Sequence, residues 1–193
     1  GSTQAADKAA KKEAEAKAGA GAGAGAAADS FVAMCEFKVG LVTSAKKHPD
    51  ADKLIVETIE CGEDEPRTIC SGLIGHYQPD EVAGRLVIIA ANLKPKPFVG
   101  IKSNGMVMCG STEDHSTVKL LDVPEGAVPG ERVVFAGHEG APAAPGPMTK
   151  KKILEKTLPD MGVDGEGRVT YKGVPMMSSK GPITCTLAGA HIG

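Results

Sequence analysis

A mainly β chain, a small barrel with a smaller β-rich domain packed on it, is predicted by three features of the sequence. Short β-branched segments recur between residues 37 and 135, separated by Gly, Pro, Asn and Asp clusters. One of them, from Arg85 to Ala91, is continuously apolar instead of alternating, as a strand covered on both faces must be. Beyond a Gly/Ala/Pro stretch at 137–147 the strand pattern resumes over a segment too short to bury a core alone.

Composition bounds the function. At 193 residues and a formal net charge of −2, the chain does not coat nucleic acid indiscriminately, and any polyanion site must come from asymmetric placement of its lysines. With no Trp, two Tyr and four Phe, a broad base-stacking platform is excluded. The five cysteines are odd in number and contain no C-x-x-C pair. Without a secretory signal or a membrane-spanning run, they read as reduced thiols in a cytoplasmic protein. The five histidines are scattered without zinc-ligand spacing, so neither a metal nor a cofactor is expected.

In chain order, Gly1-Ser2 reads as an expression scar and residues 3–18 as an Ala/Lys/Glu segment of marginal helicity. Alternating Gly and Ala at 19–28 make a flexible linker, so residues 1–30 form a tail. The barrel is expected over 31–137. Phe37, Val39 and Leu41 alternate with Lys38, Gly40 and Val42, giving one buried face with Lys38 on the other. His48-Pro49-Asp50-Ala51-Asp52 is a turn, in which His48 is a turn residue and the two Asp are caps, not an acid pair. Leu54, Val56 and Thr58 then oppose Ile55, Glu57 and Ile59, and an acidic turn leads to Arg67-Thr68-Ile69-Cys70. Pro79-Asp80-Glu81-Val82 is a short helical turn, and strands at 85–91, 106–109, 118–121 and 132–135 complete the set. One short helix between the third and fourth strands fits a five-stranded Greek-key barrel of the oligonucleotide-binding kind, the OB-fold. The last domain, 138–193, should carry a helix capped by Thr149 and running to Leu158, then strands at 168–172, 174–177 and 183–187.

The functional signal lies after the apolar strand. Asn92, Lys94, Lys96, Lys102, Ser103 and Asn104 follow it, with Pro95 and Pro97 stiffening the loop and Gly100 and Gly105 permitting turns. No acidic side chain occurs between Arg85 and Thr112, so this loop is a local anion site. Cys61, Cys70 and Cys109 lie in β patterns and read as small core residues. No Ser-His-Asp, Cys-His, phosphate-loop or metal arrangement is present, so the chain is not expected to be an enzyme.

The motifs Phe37-Lys38-Val39-Gly40, His48-Pro49-Asp50-Ala51-Asp52-Lys53-Leu54, Arg67 followed by Ser71-Gly72-Leu73, Asn92-Leu93-Lys94-Pro95 and Gly100-Ile101-Lys102-Ser103-Asn104-Gly105-Met106 stand in a specific order. That order resembles the tRNA-binding domain of bacterial structure-specific tRNA-binding proteins and methionyl-tRNA synthetase C-termini. Pro129-Gly130-Glu131-Arg132, Lys150-Lys151-Lys152 and Tyr171-Lys172-Gly173-Val174-Pro175 extend the resemblance to the endothelial monocyte-activating polypeptide II group, with its extra C-terminal domain. Lys38 departs from the family's common arginine, substituting a point charge for a bidentate fork.

The resemblance implies a non-catalytic tRNA-binding module that recruits tRNA to an aminoacyl-tRNA synthetase or a multisynthetase complex, or alternatively a released cytokine-like or protein-interaction module. Its implied site comprises Lys38, Arg67, Ser71, Asn92, Lys94, Lys96, Lys102, Ser103, Asn104 and Met106. The last of these has two readings, groove or strand core. Lys150, Lys151, Lys152 and Lys156 would add auxiliary positive charge. Because short family members dimerise through the barrel, a chain with the extra domain is expected to be a monomer in which that domain replaces the second subunit.

Overall fold

The computed structural model describes residues 30–193; the tail and linker expected before them lie outside the described residues. After a single helical turn, α1 (Phe31–Met34), the chain enters β1 (Phe37–Lys47), on which the barrel is built. β2 (Ile55–Glu60) and β4 (Leu86–Ala90) pair antiparallel with its two edges. β3 (Arg67–Ser71) adds to β2, and α2 (Pro79–Val82) intervenes before β4. A register shift between Val42 and Ser44 bends β1, as an inserted residue does in an antiparallel pair.

The loop after β4 contains a hairpin that the sequence reading treated as irregular: β5 (Lys96–Phe98) and β6 (Ile101–Ser103), joined by Val99-Gly100. β7 (Met106–Val107) then pairs with β4, giving the sheet order β3-β2-β1-β4-β7. The open side of this sheet is drawn together by Asn104 N–H to Thr68 O at 2.8 Å and Cys70 N–H to Ser103 Oγ at 2.9 Å.

The strand expected at 106–109 is interrupted at Met108. The chain leaves the first sheet there and begins a second one with β8 (Cys109–Ser111) and β9 (Val118–Leu120). β10 (Val134–Phe135) joins that second sheet at its far edge. Between them stand strands from the C-terminal domain: β11 (Met161–Val163), β12 (Val169–Tyr171), β13 (Val174–Ser178) and β15 (His191–Ile192), with β14 (Gly181–Pro182) paired to β13. β15 pairs with β8, Ile192 opposite Gly110, so the C-terminal domain is hydrogen-bonded to the barrel as well as packed on it.

Three local expectations are corrected. The single helix capped by Thr149 is two helices, α3 (Pro145–Lys150) and α4 (Ile153–Thr157). Pro145 presets the first turn, and Lys152 at φ 51° breaks the run, which turns Ile153 and Leu154 into the core. The proposed strand at 183–187 is irregular, because Ile183, Thr184 and Cys185 bond to three different segments through Met176, Asp122 and Gly167. The strands β11 and β15 were not anticipated, being three and two residues long with glycine or histidine in them.

The alternation of β4 explains its unbroken apolarity. Val87 and Ile89 point into a cluster inside the barrel with Val42, Ile55, Ile59 and Ile69. Ile88 and Ala90 point out, into a second cluster shared with Phe37, Val39, Met148, Ile153, Val169, Tyr171 and Met176. The C-terminal domain therefore buries its apolar faces against the outer side of β1 and β4. No helix among the described residues is long and apolar enough to cross a membrane, and no grouping of His, Cys, Asp and Glu among them is placed to hold a metal.

Candidate nucleic-acid interface

Three exposed lysines gather on the β5–β6 hairpin and the loop leading into it. Lys94, Lys96 and Lys102 are exposed, and the ion pairs among the described residues involve other cations: Lys38, Lys47, Arg67, Arg85 and Arg168. Cross-strand register places Lys96 opposite Ser103 and Lys102 opposite Pro97, so these two lysines lie on opposite faces of the ribbon. Lys96 shares a face with Phe98, its ammonium 5.8 Å from the ring centroid.

The hairpin is held from behind by His48. Its Nδ1 accepts the Asp50 N–H at 3.0 Å, which places the ring proton on Nε2, and Nε2 donates to Phe98 O at 2.9 Å. His48 is buried, so the residue read as a simple turn former pins the tip of the basic ribbon to the β1–β2 turn. At that tip Val99 has φ 47° and Gly100 φ 83°, the conformation of a two-residue primed turn.

Beside the hairpin lies a groove of about 310 Å³ lined by Ser71, Leu73, Phe98, Met106, His115 and Val118, among others. Met106 is half-buried, lining this groove while packing against the shared core, so both of its readings describe part of its contacts. Beneath the groove, Ser71 Oγ donates to Glu57 Oε2 at 3.2 Å. Glu57 is fully buried, its Oε1 has no hydrogen-bond partner, and burial pushes its carboxyl up to about 8 despite the Ser71 hydrogen bond. A larger concavity, about 640 Å³, is bounded by Glu63, Asp64 and Glu65, whose charges repel a polyanion.

Several expected site residues have internal partners. Arg67 bonds Glu63 through both Nε and Nη2, and its Nη1 reaches Ala91 O at 2.6 Å and Asn104 O at 3.3 Å. That hydrogen-bonded guanidinium draws the Glu63 carboxyl down to about 2. Lys38 is ion-paired to Glu36 at 2.8 Å. Asn92 is buried: its Oδ1 accepts from Glu36 N, and its Nδ2 donates to Met34 O at 2.8 Å and Ala143 O at 2.9 Å. Ser103 is buried between Cys70 N and Gly105 O, and half-buried Asn104 contributes its backbone to β3. The Arg67, Asn92 and Ser103 side chains hold the loop in place, whereas the exposed lysines face solvent.

The auxiliary lysines are all exposed. Lys156 lies over the Phe31 ring at 5.2 Å, while Lys150, Lys151 and Lys152 surround the break between α3 and α4. Asn92 links the root of the hairpin loop to Ala143, just before α3, so both basic stretches issue from one hydrogen-bonded junction. All five cysteines are buried. Burial raises the Cys35 and Cys61 thiols to about 11 and that of Cys109 to about 12, which removes them as nucleophiles.

The sequence reading missed Phe98, Glu57 and the structural role of His48. Glu57 left a signal, a carboxylate in register with the inward-facing Ile55 and Ile59. Phe98 left none, since its place depends on a hairpin whose turn residue, Val99, argues locally against one.

Residues 37–132 match the profile of a family described as "Putative tRNA binding domain". A probable methionine–tRNA ligase of Oryza sativa subsp. japonica is 43% identical over 179 residues, covering 93% of this chain and 22% of the relative. Aminoacyl tRNA synthase complex-interacting multifunctional protein 1 of Mus musculus is 40% identical over 160 residues, covering 81% of this chain and 50% of the relative. The chain thus spans half or less of these curated relatives. Among solved structures, the C-terminal domain of Plasmodium vivax p43 superposes with a TM-score of 0.75 at 33% identity, covering 84% of this chain and 98% of that one.

Proposed function

Since the chain belongs to the tRNA-binding domain family, we propose that it is a non-catalytic module that grips tRNA through its phosphates and shape and delivers it to an aminoacyl-tRNA synthetase, fused or in complex, in the cytoplasm. The observation that carries this reading is the hairpin and the loop leading into it, where Lys94, Lys96 and Lys102 are exposed with no internal ion pairs in a stretch without acidic side chains. Lys94, Lys96 and Lys102 are the phosphate contacts, and Ser71 and Met106 line the adjoining groove. Lys150, Lys151, Lys152 and Lys156 extend the positive surface. Lys38, Arg67, Asn92, Ser103 and Asn104 position this surface from within.

Delivery works by raising the local tRNA concentration at the partner enzyme, so a modest affinity suffices. Titration of tRNA against duplex DNA across a salt series tests the binding. Affinity for tRNA should fall with a log-log slope of about −0.7 per phosphate contacted on single-stranded segments and about −0.9 on helical ones. Binding that is flat in salt, or equal for duplex DNA, sinks the reading.

A further inference from the structure

We propose that the groove beside Ser71 receives one unstacked nucleobase of the bound RNA, stacked on Phe98 and hydrogen-bonded at its edge by the Ser71 hydroxyl. The inference rests on the tRNA-binding reading above and names what that reading leaves open, namely whether a base is read at all.

The groove is separate from the phosphate-binding cations but continuous with them. Phe98 lines it, and the same ring carries the Lys96 ammonium at 5.8 Å, so a phosphate held by Lys96 is within one nucleotide of the groove wall. At about 310 Å³ the space lies at the low end of the range for small-ligand sites, roughly 300–1,000 Å³, enough for a single heterocycle and not for a strand. Its walls are mostly apolar, with Leu73, Met106 and Val118 joining Phe98, which suits the faces of a base and repels a phosphate.

Ser71, Ser111 and His115 are the polar side chains of this lining, and Ser71 is held from below by a buried carboxyl. Glu57 stands on β2 in the inward register, fully buried, and its Oε2 meets Ser71 Oγ at 3.2 Å while Oε1 has no partner. A carboxyl group buried at such cost is kept where it orients something, and the group it touches is Ser71, which lines the groove. With its proton donated to Glu57, the Ser71 oxygen keeps lone pairs that accept from an N–H at the edge of a base. The scarcity of aromatics elsewhere agrees with one base being stacked and the rest of the RNA being held by charge.

Photo-crosslinking of the full chain to tRNA containing 4-thiouridine, with peptide mapping, tests the placement, and binding by groove variants tests its weight. Crosslinks are expected at Ser71 to Leu73, at Phe98 or at Met106. Phe98→Leu and Ser71→Leu should each weaken tRNA binding on the order of tenfold with the salt slope unchanged, while Ser71→Thr, which keeps the hydroxyl, binds nearly as the parent. If Ser71→Leu melts early, Phe98→Leu and the crosslink map decide. Parent-like affinity in Phe98→Leu together with crosslinks confined to the Lys94, Lys96 and Lys102 positions overturns the base site and leaves phosphate binding intact. Absence of salt-dependent tRNA binding by the parent chain removes both readings at once.

Discussion

Glu57 holds a proton in the folded chain that it surrenders when unfolded. Its carboxyl is raised from an ordinary 4.5 to about 8 by burial, with the Cys70 and Cys109 thiols and the Ser71 hydroxyl among its surroundings. For an acid whose folded value is raised, the penalty is absent below 4.5, grows as pH rises from there and levels off above about 8. Replacement by glutamine removes it. Glu57→Gln should therefore leave stability nearly unchanged in acid and raise it on the order of 2–4 kcal/mol at pH 8, read by urea denaturation across pH. A gain that is uniform in pH contradicts this account of the buried carboxyl. Asn92 and Lys94, two positions apart in sequence, should behave oppositely. Asn92→Ala strands Met34 O, Ala143 O and Glu36 N, each costing about 1–3 kcal/mol if left dry. Its melting temperature should drop while the salt slope of tRNA binding is kept. Lys94→Ala should melt like the parent, bind tRNA more weakly by about 1 kcal/mol and show a shallower slope.

The β5–β6 hairpin is the element in which conformation and the proposed function meet. Val99 is β-branched, 58% exposed and held at φ 47°, a conformation in which its side chain gains little burial in return for backbone strain. Val99→Asn supplies the residue type that primed turns favour before glycine, so denaturation should show a gain of about 0.5–1 kcal/mol. A loss instead means that contacts of the Val99 side chain hold the turn in place. The two short helices α3 and α4 illustrate the same competition between local preference and packing. Lys152 accepts a left-handed backbone because the turn it makes buries Ile153 and Leu154 against the barrel.

At the scale of the molecule, the C-terminal domain occupies the outer face of β1 and β4 and pairs β15 with β8. We propose that this makes the chain a monomer, with the domain taking the place of a second barrel. Sedimentation equilibrium should return the mass of one chain, 19.7 kDa. Truncation after Gly137 uncovers Phe37, Val39, Ile88 and Ala90 and leaves the β8 edge open, so the shortened protein should self-associate or aggregate. A stable dimer of the full chain, or a well-behaved monomer of the truncated one, contradicts the arrangement.

The continuous apolarity of Leu86 to Ala90 already required two covered faces, and the acid-free run after it already concentrated exposed lysines in one stretch. Both follow from composition over a few residues, and local physics decides such features. The division of labour inside that run was not local. Lys94 and Asn92 look alike in sequence as polar loop residues, yet one reaches solvent and the other closes hydrogen bonds to Met34 and Ala143, segments some 50 residues or more away. Likewise Arg67 carries the same charge as Lys94, yet its guanidinium bonds Glu63, Ala91 O and Asn104 O. Position along the chain determines which side chains carry charge; only the folded neighbourhood decides which of those charges remain available, because a buried donor or cation must be paired before it can be spared for a ligand.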